Sequence, residues 1–548
     1  MRAAHPTRRR FLRDAALATA GAAAARALPM PSLRPGSPAA AARLVAPFPD
    51  LEEATLAELQ RAMSSGRLTS FQLTRRYLQR IEALDRRGPE LNSIIEVNPQ
   101  ALDIARSLDG ERRRGEVRGP LHGIPIVIKE NIDTADQMLT TAGSLALVGS
   151  SPTQDSTTAQ RLRDAGVVIL GKANLSEWAN FRGFFSSSGW SGRGGQTSNP
   201  YVIRWNPCGS SSGSGTASAA SLAAATLGTE TDGSIVCPSS ANGLVGIKPS
   251  VGLTSRAGVI PISHSQDTVG PMARTVADAA ALLGPLTGID PRDPATSESD
   301  GFFFDDYTQF LAADGLNGAR IGIAREMWGF SPEADAVCEA TIAAMASAGA
   351  TIVDPVLYPS IDEINSGEAE ITVLLYEFKA DLNAYLATRT PGSPRTLAEL
   401  IVFNEANADV ELRYFGQELF HLSEATTGLN DPAYLDALAT ARRIGREDGI
   451  DAVLAEHDLD AFVAPTGSPA WPTDLVNGDL FLGGSSSPAA VAGYPMVCMP
   501  AGFSFGLPVG ISFVGGRWSE PTLIRLASGF EAAVGARRPP RYLEQPEL

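Results

Sequence analysis

Histidine, lysine and cysteine are all scarce in this 548-residue chain, and each scarcity removes a class of chemistry. The five histidines, His5, His122, His264, His421 and His457, are scattered, with no H-E-x-x-H and no histidine pair on one helical face, so no metal centre is expected. The four cysteines, Cys208, Cys237, Cys338 and Cys498, include no C-x-x-C, and so few in a chain of this size cannot form a disulfide framework on which stability depends. No apolar run reaches the ~20 residues that span a bilayer, so no transmembrane helix is expected in the mature chain. Basic stripes are also missing. The formal net charge of −16 repels phosphate backbones, and nucleic acid is not an expected partner. Lysine occurs only at 129, 172, 248 and 379, because arginine supplies nearly all the other positive charge.

What is present describes a folded protein. A hydrophobic content of 44% with 19% charged residues fits one large α/β domain or two ordinary ones. No internal repeat and no second composition regime is visible, which favours one domain. The N-terminus runs Thr7-Arg8-Arg9-Arg10-Phe11-Leu12-Arg13, then a mildly apolar stretch from Ala15 to Ala25 and a small-x-small site at Ala25-Arg26-Ala27. That layout predicts an export signal of twin-arginine type over residues 1–27, with a Pro/Ala linker over 28–49 and the folded domain over 50–540.

Residues 51–108 read as helices, with Leu56, Leu59 and Met63 at helical spacing. The apolar run Gly123-Ile-Pro-Ile-Val-Ile-Lys129-Glu-Asn131 then reads as a buried strand, and the lysine at its end is not surface filler. Asp155 and Ser156 cap a helix that Gly166 ends, and Val167 to Leu170 is a strand. The stretch from Gly166 to Ala173 nearly spells a phosphate-binding loop, but its middle is β-branched and Ala173 replaces the magnesium-binding hydroxyl, so a phosphate site is not expected. Ala319 to Ala324, a helix from Ser331-Pro332 to Gly349, and Thr351 to Val353 make a βαβ pattern, which implies a central β-sheet with helices on both sides. Residues 361–446 read as a helical insertion whose aromatics, Phe378 and Phe415 among them, either pack as core or cover an active site. Pro488 to Gly516 reads as strands and turns.

The chain's centre of interest is Pro207 to Ile235, PCGSSSGSGTASAASLAAATLGTETDGSI. An Ala-rich helix from Gly215 to about Ala224 carries the chain roughly 15 Å outward at ~1.5 Å per residue. A strand from Ala225 to Thr229 brings it roughly 16 Å back at ~3.3 Å per residue. The consequence is that Ser234 returns close to Ser210. A flexible Gly/Ser linker has neither element. Gly209-Ser210-Ser211-Ser212-Gly213 also fits G-x-S-x-G, a nucleophile elbow with Ser211 as nucleophile, although the proline-containing segment before it is a poor strand.

With Lys129, Ser210 and Ser234 in view, the chain resembles the amidase signature family over about residues 50–535. The likeness rests on the blocks around Lys129, Gly171-Lys-Ala-Asn-Leu-Ser-Glu177, Arg193-Gly-Gly-Gln-Thr-Ser-Asn-Pro200, the Gly/Ser stretch, Gly246-Ile-Lys-Pro249 and Ala492-Gly-Tyr-Pro495. The resemblance implies a single α/β domain with a mixed central sheet, amide hydrolysis, and a Ser-Ser-Lys triad in which Lys129 is the base, Ser210, joined through a cis peptide bond, is the relay, and Ser234 is the nucleophile. It implies an oxyanion hole from the backbone N–H groups of Thr231, Asp232, Gly233 and Ser234, and no metal or cofactor. The substrate it implies is a small-molecule or peptide amide. Thr231-Asp232-Gly233-Ser234 departs from the family's paired glycines and resembles its peptide amidase branch. Asp232 therefore points either at substrate or at a neighbouring helix. Three rivals stand beside this reading: an esterase using Ser211 with His264, His421 or His457; an exported binding protein on an inactive amidase fold; and the amidotransferase component that acts on charged tRNA, which an export signal would place in the wrong compartment.

Overall fold

The structure is a computed structural model and describes residues 51–547. The expected export signal and the linker to residue 49 lie outside the described residues.

Among the described residues, thirteen strands follow in chain order: β1 (Ile94–Val97), β2 (Pro125–Lys129), β3 (Val168–Ala173), β4 (Trp190–Ser191), β5 (Gly195–Gln196), β6 (Ala225–Glu230), β7 (Val245–Lys248), β8 (Thr268–Ala273), β9 (Arg320–Ile323), β10 (Thr351–Val353), β11 (Ala461–Pro465), β12 (Met496–Ser504) and β13 (Leu507–Val514). β4 and β5 form a small hairpin. The other eleven form one mixed sheet in the order β1-β3-β2-β6-β8-β7-β12-β13-β11-β9-β10. β2 lies parallel to both β3 and β6, and β6 pairs antiparallel with β8. Helices cover both faces, so the middle strands are buried end to end, and β2 is apolar up to Lys129. The expected α/β domain with a mixed central sheet is what the chain forms.

Local signals place most of the outer elements. Thr55 and Thr69 each close a capping box on the helices Leu56–Ser64 and Ser70–Ile81. Ser156 caps Thr157–Asp164, and Gly166 at φ +77° turns the chain into β3. Ser331 caps Pro332–Ser347. Two segments differ from expectation. Residues 51–108 contain β1 as well as helices, because a four-residue edge strand is too short to show a period of two. The helix Ser487–Ala492 lies in a stretch expected to hold only strands and turns; it has six residues, nearly all small, and carries no helical apolar period.

Residues 361–446 form six helices, from Ile361–Ser366 to Pro432–Gly445. The long helix Glu368–Ala387 lays Phe378, fully buried, against Phe181 with ring centroids 5.0 Å apart and against Phe420 at 5.4 Å. Phe415 covers the guanidinium of buried Arg182. Both aromatics fix the insertion to the domain by packing. Among the described residues, no helix is long and apolar enough to cross a membrane.

Candidate active site

The sheet delivers the lysine. β2 runs between β3 and β6, so Lys129 at its C-terminal end stands under the loops that follow β2 and β6 and is fully buried. Its Nζ lies 2.7 Å from Ser210 Oγ, 2.9 Å from Thr229 Oγ1 and 3.2 Å from the Thr229 carbonyl oxygen. Among the described residues, no carboxylate bonds to it. Burial therefore dominates and pushes the ammonium down to about 7, while the charges of Asp267 and Glu230 oppose the shift from a distance.

The first serine is held by a crowded turn. The Gly209-Ser210 peptide bond is cis, and the Ser210 carbonyl accepts the Ser176 N–H at 3.1 Å. A Cβ on Gly209 would collide with Ser176 Oγ, so a larger residue there would displace the Ser176 side chain. The helix after it is Ser212–Ala219, shorter and earlier than expected, and β6 returns the chain over Ala225–Glu230. The two segments then meet: Ser211 N–H donates to the Ser234 carbonyl at 3.1 Å. Ser234 is 7% exposed whereas Ser210 is sealed, so of the two it is Ser234 that reaches the surface of the site.

Glu230 organises the turn that carries Ser234. Its fully buried carboxylate accepts N–H groups from Gly233 at 2.9 Å, Ile235 at 2.7 Å and Val236 at 3.0 Å. Gly233 N–H is occupied by Glu230, and the N–H groups of Thr231, Asp232 and Ser234 are the ones without an acceptor among the described residues. Gly233 itself sits at φ +79°, a conformation that favours glycine. Asp232 turns toward a neighbouring helix: its carboxylate accepts the hydroxyls of Ser486 and, at 2.8 Å, Ser487, at the start of Ser487–Ala492. Thr231 Oγ1 donates to Asp267 at 2.6 Å, and burial raises the Asp267 carboxyl to about 6.

The rival constellations are not assembled. Ser211 is buried, donates its hydroxyl to the Thr229 carbonyl at 3.1 Å and accepts the Thr229 N–H at 3.2 Å, so it ties the turn to β6. His264 bonds Asp381 at 2.8 Å on the insertion, while His421 and His457 lie in the helices Glu418–Glu424 and Asp451–His457. None of the three bonds Ser211 among the described residues. The stretch that nearly spells a phosphate loop is β3, and Lys172 in it donates to Thr140 Oγ1 at 2.9 Å and to the Ile132 carbonyl. Cys208 and Cys237, which flank the two serines, are joined in a disulfide. One cross-link is not a framework, and nothing in the local pattern pointed to a pairing of two cysteines 29 positions apart.

Comparison with known proteins gives this geometry its context. Residues 72–524 match the Amidase family. The chain belongs to the amidase signature family. A probable amidase of Arabidopsis thaliana is 44% identical over 500 residues, 90% of this chain and 92% of that protein. The crystal structure of the peptide amidase of Stenotrophomonas maltophilia superposes with a TM-score of 0.85 at 53% identity, covering 90% of this chain and 100% of that one. A glutamyl-tRNA(Gln) amidotransferase component of Chloroflexus aggregans is 34% identical over 511 residues, 89% of this chain and 99% of that protein. This amidase signature enzyme is a hydrolase of amide C–N bonds.

Proposed function

We propose that the enzyme releases ammonia from C-terminal peptide amides through an acyl-enzyme on Ser234. The observation that carries the mechanism is the 2.7 Å contact between a buried, charge-depleted lysine and the Ser210 hydroxyl, one residue from the backbone bond to Ser234. Neutral Lys129 takes the proton of Ser210, Ser210 takes that of Ser234, and the Ser234 oxygen adds to the amide carbonyl. The N–H groups of Thr231, Asp232 and Ser234 receive the negative oxygen. Return of the proton through Ser210 to the amide nitrogen breaks the C–N bond and frees ammonia. Water then cleaves the ester by the same relay, giving the carboxylate. The reading of the substrate draws on the similarity to the peptide amidase of Stenotrophomonas maltophilia and on Asp232, whose tie to Ser486 and Ser487 keeps its charge away from an uncharged amide.

Ammonia release measured on peptide amides, aliphatic amides and aryl amides tests the assignment. Peptide amides are expected to give the highest kcat/KM. Equal or higher values on aryl amides would reassign the substrate, and silence on all three would return the chain to the class of binding proteins.

We also propose that the protein is exported through residues 1–27. The arginine-rich start supports this, and so does a disulfide beside the site, since such bonds persist in oxidising compartments. Fractionation of cells expressing the full chain should find the protein outside the cytoplasm, and Arg8→Lys with Arg9→Lys should retain it inside; unchanged distribution would reject the signal.

A further inference from the structure

The relay through Ser210 depends on where the lone pair of Lys129 points, and hydrogen counting around Nζ shows what must direct it. A neutral amine has two hydrogens and one lone pair. The Thr229 carbonyl can only accept, so it takes one hydrogen. The second hydrogen and the lone pair are left for Ser210 Oγ and Thr229 Oγ1. Base catalysis needs the lone pair on Ser210, which makes Nζ a donor to Thr229 Oγ1. The hydroxyl proton of Thr229 then needs an acceptor of its own.

Among the described residues, the side-chain group besides Lys129 that bonds to Thr229 Oγ1 is the amide of Asn131, with Nδ2 at 3.0 Å. In that orientation Asn131 donates, the Thr229 proton turns to Nζ, and the lysine lone pair is closed to Ser210. The same orientation leaves Asn131 Oδ1 buried without a donor among the described residues, Asn131 being 2% exposed. A half-turn of the amide resolves both conflicts. Oδ1 accepts the Thr229 proton, and Nδ2 moves to where Oδ1 stood.

A second observation bears on where Nδ2 would then go. Thr268 Oγ1 is likewise buried without a partner among the described residues, and Thr268 is 2% exposed. Asn131 and Thr268 line one small cavity whose volume open to the centre of a water molecule is about 10 Å³, close to what a single water requires. Polar walls from two elements with unused hydrogen-bonding groups suit a resident water. The charged side chains on this cavity are Asp267 and Arg256. The carboxylate of Asp267 is already engaged by Thr231 Oγ1 and by the N–H groups of Ile262 and Ser263.

We infer that Asn131 is a positioning residue that accepts the Thr229 hydroxyl proton and so keeps the Lys129 lone pair on Ser210, its amide NH₂ held by a water molecule bound between it and Thr268. The inference rests on the relay reading of Lys129. Asn131→Asp and Asn131→Leu test it, with thermal melts confirming that both fold. Ionised aspartate can only accept, so it keeps the contact with Thr229, and its charge joins Asp267 and Glu230 in favouring the ammonium. Its kcat/KM is expected to rise with pH along a limb displaced upward by about one to two units and to approach wild type at high pH. Asn131→Leu is expected to lose about 100-fold in kcat at every pH with little change in KM. Should Asn131→Asp be as inactive as Asn131→Leu throughout, Asn131 acts as a donor and the inference fails. Neutron diffraction on deuterated wild-type crystals gives the direct reading: amide deuterons facing a D₂O beside Thr268 support it, whereas amide deuterons facing Thr229, or no water there, overturn it. Failure of the relay itself shows differently, as activity in Lys129→Arg.

Discussion

Ser234→Ala is expected to leave a folded protein whose kcat is lower by about 10⁴-fold or more. The substitution removes one oxygen from a turn held by other groups: the Glu230 carboxylate keeps Gly233, Ile235 and Val236, and Ser211 N–H keeps the Ser234 carbonyl. The melting curve should barely move. A serine-reactive probe should label the peptide containing Ser234 in the wild type and nothing in the variant. Ser211→Ala is the matching control. Its hydroxyl makes two buried backbone bonds, so its removal should cost stability, about 1–3 kcal/mol for the groups left unpaired, while the label stays on Ser234. If label and turnover instead vanish with Ser211 and survive in Ser234→Ala, the nucleophile elbow is the correct reading.

What could be read before the fold was seen depended on how far each signal extends along the chain. β2 was legible because this strand, buried on both faces, is apolar up to Lys129, which makes the lysine conspicuous; β6 is equally buried but carries threonines and a glutamate and gives no such run. The return of the Ser234 segment to the Ser210 turn was legible as a helix out and a strand back, although the helix is Ser212–Ala219, shorter and earlier than expected. Rarity of lysine went only part of the way. Lys129, Lys172 and Lys248 are all fully buried, and burial lowers each of them. Scarcity therefore marked buried lysines without saying which one does chemistry. The neighbours decide that. Lys248 donates to the Tyr494 carbonyl at 2.7 Å and Lys172 to the Ile132 carbonyl and a threonine, whereas Lys129 alone of the three faces a serine hydroxyl.

Glu230 shows why other parts stayed hidden. A glutamate ending a strand is ordinary in a sequence, and only the turn that folds back over it brings three N–H groups to one carboxylate. A sequence shows which N–H groups lie near Ser234 but not which of them already have an acceptor, as Gly233 N–H has in Glu230. Asp232 had two readings for the same reason, and the hydroxyls that settled its direction come from residues more than 250 positions away. The Cys208–Cys237 bond and the helix Ser487–Ala492 were likewise products of long-range packing rather than of local pattern.

The second large effect belongs to Lys129 and is carried by pH. An unperturbed lysine titrates near ~10.4 and would be charged through the neutral range, with no lone pair for Ser210. Here desolvation lowers it to about 7, outweighing the opposing charges of Asp267 and Glu230. The deprotonated form is the active one, so kcat/KM should rise as pH increases through about 7 and level off above it; a falling limb in that range would contradict the assignment. Lys129→Ala should lose about 10³-fold or more, since proton transfer and the hold on Ser210 go together. Lys129→Arg should do no better. A guanidinium stays protonated far above neutrality and cannot accept from Ser210, although it could still donate to Thr229. A lysine that served only to fill and bond the interior would predict the reverse, with arginine restoring part of the activity and the pH profile unchanged. Profiles from about pH 5 to 10 on the wild type and both variants separate the two, because only a proton acceptor links the loss of activity to the loss of the rising limb.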